Sequence, residues 1–174
     1  MLVPCIVDIE ASGFGYGSYP IEVGFVTSDT KAHCALIKPF DYWTHWDQDA
    51  ELLHGISRAT LAAHGKSPYF ICQWLNERLS GQTIYSDAWA NDMSWLGRLF
   101  DECGMQQAFR IESLLVLLSP YEQERWSKVL ERVSNSSKKI RHRASVDASL
   151  IQKAFIEIRR DGSQSEYVSN HGSG

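Results

Sequence analysis

Short apolar runs separated by turn residues fill the first forty positions, and longer amphipathic segments follow them. Segments 2–9, 21–28 and 32–39 are rich in apolar and β-branched residues, which predicts three strands. The first is apolar on both faces, as expected of a strand inside a sheet. Because only short turns separate them, the three strands are predicted to form an antiparallel meander.

The rest of the chain mixes helical and strand patterns. Residues 67–81 are the clearest helix, because Ser67 caps it, Pro68 opens it, Gly81 closes it and its apolar positions share one stripe. The other predicted helices are 50–55, 57–65, 91–104, 114–118, 121–133 and 145–160, and two further strands are 82–88 and 108–113. This order predicts a single α/β domain with a mixed sheet over residues 1–160, followed by a polar, flexible tail at 161–174.

Composition narrows the class of protein without identifying it. A chain of 174 residues with 44% apolar and 22% charged residues has room for one domain with one core. No apolar run approaches the ~18 residues of a membrane span. The first residues do not combine a basic leader with an apolar run and a cleavage site, so no secretion signal is expected. The four separated cysteines are expected to be small core residues in a reducing, cytoplasmic setting. They are Cys5, Cys34, Cys72 and Cys103.

The net charge of −4 argues against a broad surface for gripping long duplexes. Any contact with nucleic acid should therefore be local and short. A cluster of catalytic acids would itself make the net charge negative.

Two acids end the first predicted strand. Asp8 and Glu10 are two residues apart, so they project from the same face. Two close carboxylates repel each other unless a proton or a cation lies between them, and Mg²⁺ and Mn²⁺ prefer such oxygen ligands. The alternative is a pair of acids in a solvated turn.

Two later segments carry further candidates. Asp92 lies near the start of the helix after the fourth strand, with Asp87 as a competing acid in the same loop, and Asp147 lies in the first turn of the last helix, which Ser145 is expected to cap. His142 precedes Asp147 in the adjoining loop. Each alone has a simpler interpretation, because acids complement helix N-termini and a single histidine usually packs or faces solvent.

The ordered set resembles a known family. The segments "VDIEASG", "DAWANDMSWL" and "HRASVD", with "LLHGISRATL" between the first two, are similar to those of the DEDD 3′→5′ exonucleases of the ribonuclease H-like superfamily. The subgroup has histidine as its fifth residue and includes polymerase proofreading subunits, ribonuclease T and oligoribonuclease. The resemblance covers about residues 3–158 and implies a ribonuclease H-like α/β fold, with a central mixed five-stranded sheet flanked by helices.

By the resemblance, Asp8, Glu10, Asp92 and Asp147 would hold two divalent cations, Mg²⁺ or Mn²⁺, and His142 would be the general base. The implied activity is release of nucleoside 5′-monophosphates from the 3′ ends of single-stranded or short DNA or RNA. The sequence differs from the family pattern in two places, and both concern the residues expected to contact the substrate. Ala11-Ser12 replaces the usual threonines, and the middle motif lacks its usual His-Asn pair.

Several residues are candidates for substrate contact. By the resemblance, Ala11 and Phe14 would pack against the terminal nucleotide and Ile56 would wedge beside it. Trp43, Trp46 and Trp89 lie in irregular segments and are candidates for base stacking, with core packing as the alternative. A basic loop around His142 either contacts phosphates or is simply solvated. Its cations are Lys138, Lys139, Arg141 and Arg143.

Other functions stay open. One is a hydrolase of short oligoribonucleotides, and another is an inactive nucleic-acid-binding or polymerase-associated module. A third is a structural domain whose acids only cap helices, which predicts that the four carboxylates lie apart. The residues leave the choice of DNA or RNA open, and a homodimer is compatible with the resemblance.

Overall fold

A computed structural model describes residues 2–137 and 142–169, with side chains up to residue 161. The strands are β1 (Ile6–Ala11), β2 (Pro20–Val26), β3 (Ala32–Leu36), β4 (Thr83–Ser86) and β5 (Arg110–Ser113). The α-helices are α1 (Gln48–His54), α2 (Arg58–His64), α3 (Pro68–Leu79), α4 (Trp89–Glu102), α5 (Pro120–Ser136) and α6 (Ala144–Ser169). Residues Leu114–Leu117, one of the predicted helices, form a 3₁₀ turn.

The five strands form one mixed sheet in the order β3-β2-β1-β4-β5. The first three are antiparallel neighbours, and β4 and β5 run parallel to β1. The predicted meander and the ribonuclease H-like architecture of a five-stranded sheet flanked by helices are both confirmed. Strand β1 lies at the centre, which explains why its sequence is apolar on both faces.

The two faces of β1 contribute to two different cores. Val7 and Ile9 pack with the buried side chains of α3 and α4, whereas Ile6 packs with those of α5 and α6. Alternation along the strand therefore places Asp8 and Glu10 on the face covered by α6. The acids occupy the end of that face, where α6 begins.

Helix α6 starts and ends differently from the prediction. The carbonyl of Arg143 accepts hydrogen bonds from the backbone N–H groups of Val146 and Asp147, so Arg143 precedes the first turn and the expected cap at Ser145 is wrong. The helix also continues past Arg160 to Ser169. The flexible tail stays a prediction. Among the described helices, none combines the length and apolar character needed to cross a membrane.

The cysteines follow the expectation with one exception. Three of the thiols are buried and unpaired in the cores. Cys34 is exposed on β3, where its thiol donates to Glu22 Oε1 at 3.1 Å. The expectation of a core position for Cys34 is wrong because β3 is an edge strand of the sheet.

Candidate functional site

A cavity of about 390 Å³ opens where β1 ends, between the starts of α4 and α6. The five predicted catalytic residues all line it, although they come from three remote parts of the chain. They are Asp8, Glu10, Asp92, His142 and Asp147. The alternative of a structural domain with capping acids predicts that the four carboxylates lie apart, and this prediction is wrong.

Three of the acids form a tight group. Asp8, Glu10 and Asp147 each offer an oxygen, and these oxygens lie within 4.8 Å of one another. This spacing and the all-oxygen donor set fit a hard divalent cation such as Mg²⁺ or Mn²⁺. The residues therefore suit the metal that the sequence resemblance implies.

Asp92 is the fourth predicted acid that lines the cavity. It is 1% exposed, and the hydroxyl of Ser86 at the end of β4 donates to its Oδ2 at 2.5 Å. It is not one of the three clustered acids. Nevertheless, after burial, its negative charge is the main reason that the pKa of Asp8 is raised.

Burial and mutual repulsion raise the pKa of three carboxyls in this site. Desolvation first, then the charges of Asp92, Glu10 and Asp147, hold the pKa of Asp8 well above its ordinary value. Burial and the charge of Asp147 raise the pKa of Glu10 to about 7. Burial raises the pKa of Asp92 to about 7 despite the opposing hydrogen bond from Ser86. Ionising all of these groups together requires compensating positive charge.

Without metal, the protein should lose stability as the pH rises. The folded pKa values of Glu10 and Asp92 lie near 7, above those of the unfolded chain, so the folded state binds more protons between about pH 4 and pH 7. The contribution of these two groups to stability is therefore fully present below this window and is lost through it, on the order of a few kcal/mol for the buried Asp92.

Urea unfolding at pH 5 and pH 8, in EDTA and in excess Mn²⁺, measures this effect. A divalent cation should raise stability at pH 8 and flatten the pH dependence, since it replaces the protons. Equal stability at both pH values in EDTA would contradict the expectation.

The loop residue His142 reaches the cavity in a conformation that few non-glycine residues adopt. Its φ angle is 61°, and its backbone N–H donates to Asp147 Oδ2 at 2.8 Å. Left-handed backbone at such a residue is held by its surroundings and is concentrated at functional sites. The hydrogen bond links the backbone of His142 to the carboxylate of Asp147.

Asp87 lies outside the cavity lining. Its charge nevertheless raises the pKa of both Asp8 and Asp92. It therefore contributes to the field of the site, and its competing candidacy as a ligand is not supported by its position.

The predicted substrate contacts divide into two pairs. Ala11 and Phe14 line the cavity, and Phe14 is 68% exposed with its ring 5.9 Å from that of Trp95. Ile56 is 2% exposed in the core, and Trp89 is half-buried, with its Nε1–H donating to the carbonyl of Ile111 at 3.0 Å. Neither Ile56 nor Trp89 lines the cavity, so their substrate roles lack structural support.

The other aromatic candidates also serve the fold. Trp43 is 2% exposed and stacks on Tyr19 with ring centroids 4.9 Å apart, so its predicted role in base stacking is wrong. Trp46 is half-buried, and its Nε1–H donates to Glu51 Oε2 at 2.6 Å. The irregular segment between β3 and α1 folds over the sheet and buries these rings.

The basic loop is described only in part. Lys138, Lys139 and Arg141 lie outside the described residues. Arg143 is described, and its guanidinium binds the carboxylate of Glu22 at 2.6 Å. This cation is engaged within the fold, so the structure gives no support for its predicted contact with phosphate.

Sequence reasoning missed His54, which lines the cavity at 6% exposure. Its Nδ1 accepts from the backbone N–H of Ile56 at 3.0 Å, and burial lowers the pKa of the ring. The imidazole is therefore a neutral wall of the site. The "HGI" segment marked this region, but the prediction concerned its isoleucine and not its histidine.

Sequence reasoning also missed why a glycine follows Ser12. A Cβ on Gly13 would lie 2.6 Å from Cβ of Asp47 and 2.9 Å from Cε1 of His45. Gly13 therefore lets the loop carrying Phe14 approach the start of α1, which forms the far wall of the cavity. The spaced glycines of this turn were the only signal in the sequence.

The comparison with known proteins finds that this chain is similar in structure to solved proteins. No family model and no curated protein matches the sequence. Crystal structures of Escherichia coli exonuclease I do match. The zinc-ion-bound form in complex with single-stranded DNA has a TM-score of 0.71 at 17% identity, covering 96% of this chain and 42% of that chain.

Two further crystal structures of exonuclease I are also similar to this chain. Its complex with a dA16 oligonucleotide has a TM-score of 0.70 at 15% identity, covering 96% of this chain and 43% of that one. The metal-free form with single-stranded DNA has a TM-score of 0.65 at 15% identity, with coverage of 96% and 42%. The chain thus spans less than half the length of these chains, and at this identity the likeness concerns the fold: this chain has the ribonuclease H-like fold found in exonuclease I.

Proposed function

We propose that this chain is a metal-dependent 3′→5′ exonuclease that acts on single-stranded or short nucleic acids and releases nucleoside 5′-monophosphates. One observation carries the proposal. Asp8, Glu10 and Asp147 bring oxygens within 4.8 Å of one another in the cavity that Asp92 and His142 also line. Such a set of acids binds phosphate only through cations, which is the arrangement that metal-assisted phosphodiester hydrolysis needs.

The cavity supports action at a chain end. Its volume of about 390 Å³ suits a small ligand the size of a nucleotide. Besides the acids, the lining includes the exposed apolar side chains of Phe14 and Leu53. Such side chains can stack on a terminal base while the phosphate meets the acids through cations.

The structural comparisons support the substrate class. The similar structures include complexes of exonuclease I with single-stranded DNA, in zinc-bound and metal-free forms. The overall charge of −4 also favours short, local contact over binding along a duplex. The choice between DNA and RNA is left to experiment.

The residues divide the chemistry among themselves. Asp8, Glu10, Asp92 and Asp147 would together hold the divalent ions, with Asp92 fixed by the hydroxyl of Ser86. When bound, the ions would lower the pKa of water and stabilise charge on the phosphate and on the leaving oxygen. His142 would accept the proton of the attacking water. The new bond joins the water oxygen to phosphorus, and the bond from phosphorus to the 3′ oxygen of the preceding nucleotide breaks.

The direct test uses 5′-labelled single-stranded DNA and RNA on a gel. We expect a ladder that shortens from the 3′ end in Mg²⁺ or Mn²⁺ and is blocked by EDTA, because bare carboxylates would repel the phosphate. A 3′-labelled strand should lose its label in the first step. Intact substrate under every metal condition, or loss of nucleotides from the 5′ end, would contradict the proposal.

A further inference from the structure

An ion pair between distant parts of the chain joins β2 to the segment that carries His142 and Asp147. We infer that Glu22 is a positioning residue, which with Arg143 fixes the start of α6 so that Asp147 and His142 face the cavity. This inference rests on the proposed function.

The carboxylate of Glu22 is fully buried and is satisfied largely by the start of α6. Arg143 donates through Nε at 3.1 Å to both oxygens and through Nη2 at 2.6 Å to Oε1. The backbone N–H of Ala144, the first residue of α6, donates to Oε2 at 2.9 Å. Glu22 itself is 0% exposed. A carboxylate that binds both a forked guanidinium and a helix N-terminus defines the distance and the orientation of that helix relative to the strand carrying the carboxylate.

Strand register explains why this anchor matters to the site. Glu22 is paired with Glu10 across β1 and β2, and Gly24 is paired with Asp8. Paired residues share a face, so Glu22 lies beside the acids rather than behind them. A Cβ on Gly24 would lie 2.2 Å from the backbone nitrogen of Ser145. The start of α6 therefore lies directly on β2, one strand away from Asp8.

The same anchor supports the unusual backbone at His142. This residue, with a φ angle of 61°, lies between the loop and the fixed Arg143. Its N–H bond to Asp147 Oδ2 at 2.8 Å spans the first turn of α6. Releasing Arg143 would free the backbone on one side of His142, and the histidine and Asp147 would lose their common orientation.

A second buried glutamate–arginine pair, between α5 and α6, provides a matched control. Glu122 is 5% exposed, caps the start of α5 and accepts from Arg159 Nη1 at 3.0 Å. It joins α6 to α5 through Arg159, 16 residues beyond Arg143. Both pairs join a buried glutamate to an arginine, so differences between their variants report where each pair lies and not the general loss of a buried ion pair.

The test compares Glu22→Gln with Glu122→Gln in the full chain. Both substitutions should lower the unfolding midpoint. Only Glu22→Gln should lower kcat, by about 10–100-fold with KM within about twofold, and weaken Mn²⁺ binding by a similar factor, the scale of losing an outer partner of a metal ligand. Equal kcat and equal Mn²⁺ affinity in the two variants would overturn the inference.

Arg143 gives an independent arm if Glu22→Gln fails to fold, because Arg143 is partly exposed. Arg143→Gln should reproduce the loss of kcat, and Arg143→Lys should restore part of it, since lysine keeps the charge without the fork. Wild-type kcat in Arg143→Gln would overturn the inference.

Hydrogen exchange at the His142 amide, in EDTA, separates this inference from the proposed function. The amide should exchange faster in Glu22→Gln than in Glu122→Gln, whether or not the protein cleaves nucleic acid. If the wild type neither binds Mn²⁺ nor cleaves, the proposed function fails. If the wild type cleaves and exchange at His142 is equal in both variants, only the positioning role fails.

Discussion

Replacing Asp8 by asparagine is expected to reduce nuclease turnover by at least about a thousandfold, the scale of losing a major electrostatic element of a transition state. Asp8 lies at the centre of the acids, because its oxygen belongs to the group of three and its pKa responds to Asp92 as well. Asparagine preserves the shape but removes the charge that a metal needs. Single-turnover cleavage of a labelled oligonucleotide in Mn²⁺ measures the loss.

The same substitution should stabilise the metal-free protein. Burial and three neighbouring acids oppose the ionisation of Asp8, so a neutral side chain removes an unfavourable charge. We expect a gain of about 0.5–2 kcal/mol in EDTA at pH 8, as is common when a strained active-site group is replaced. The control is Asp101→Asn on the exposed side of α4, which should change neither property. A variant that loses stability and keeps activity would contradict the metal-site interpretation.

Replacing Gly24 by alanine is expected to lower activity by about a hundredfold, although this residue carries no functional group. The added Cβ would lie 2.2 Å from the nitrogen of Ser145 and 2.4 Å from the carbonyl carbon of Ala144. Both are backbone atoms, so the start of α6 must move as a unit. A displacement of about 1 Å in a catalytic group is enough for such a loss, and overpacking costs about 1–3 kcal/mol of stability.

The control for Gly24 is another glycine without a close neighbour. Gly97 lies in α4, and a Cβ there would meet nothing within 4 Å. Gly97→Ala should leave activity unchanged and stabilise the protein by about 0.5–1 kcal/mol through helix propensity. Comparable kcat values for the two alanine variants would show that the close contact of α6 with β2 does not position the site.

Much of the fold follows from local patterns that tertiary contacts reinforce. The apolar runs of β1 and β2 are buried in the sheet, and the capping box of Ser119 and Glu122 starts α5. Period-two alternation also places Asp8 and Glu10 on one face. The pairing of the two acids could therefore be predicted from the amino-acid sequence alone.

The remainder depends on contacts between distant segments. From the sequence, Arg143 is a candidate for contact with phosphate. In the structure its partner is Glu22, 121 residues earlier. Trp43 and Ile56 lie in irregular segments, yet both are buried because those segments fold over the sheet. The local sequence does not predict such long-range packing. The acids of the site were therefore easier to predict than the residues around them.

Acids from three remote segments line one cavity, and we expect them to need divalent cations in order to ionise together. Calorimetric titration of the metal-free wild type with MnCl₂ at pH 8, repeated with Asp8→Asn, measures this need. We expect saturable uptake of about two ions by the wild type, the number used in two-metal phosphodiester hydrolysis, and marked weakening in the variant. No Mn²⁺ uptake by the wild type, or the same uptake by Asp8→Asn, would contradict this expectation.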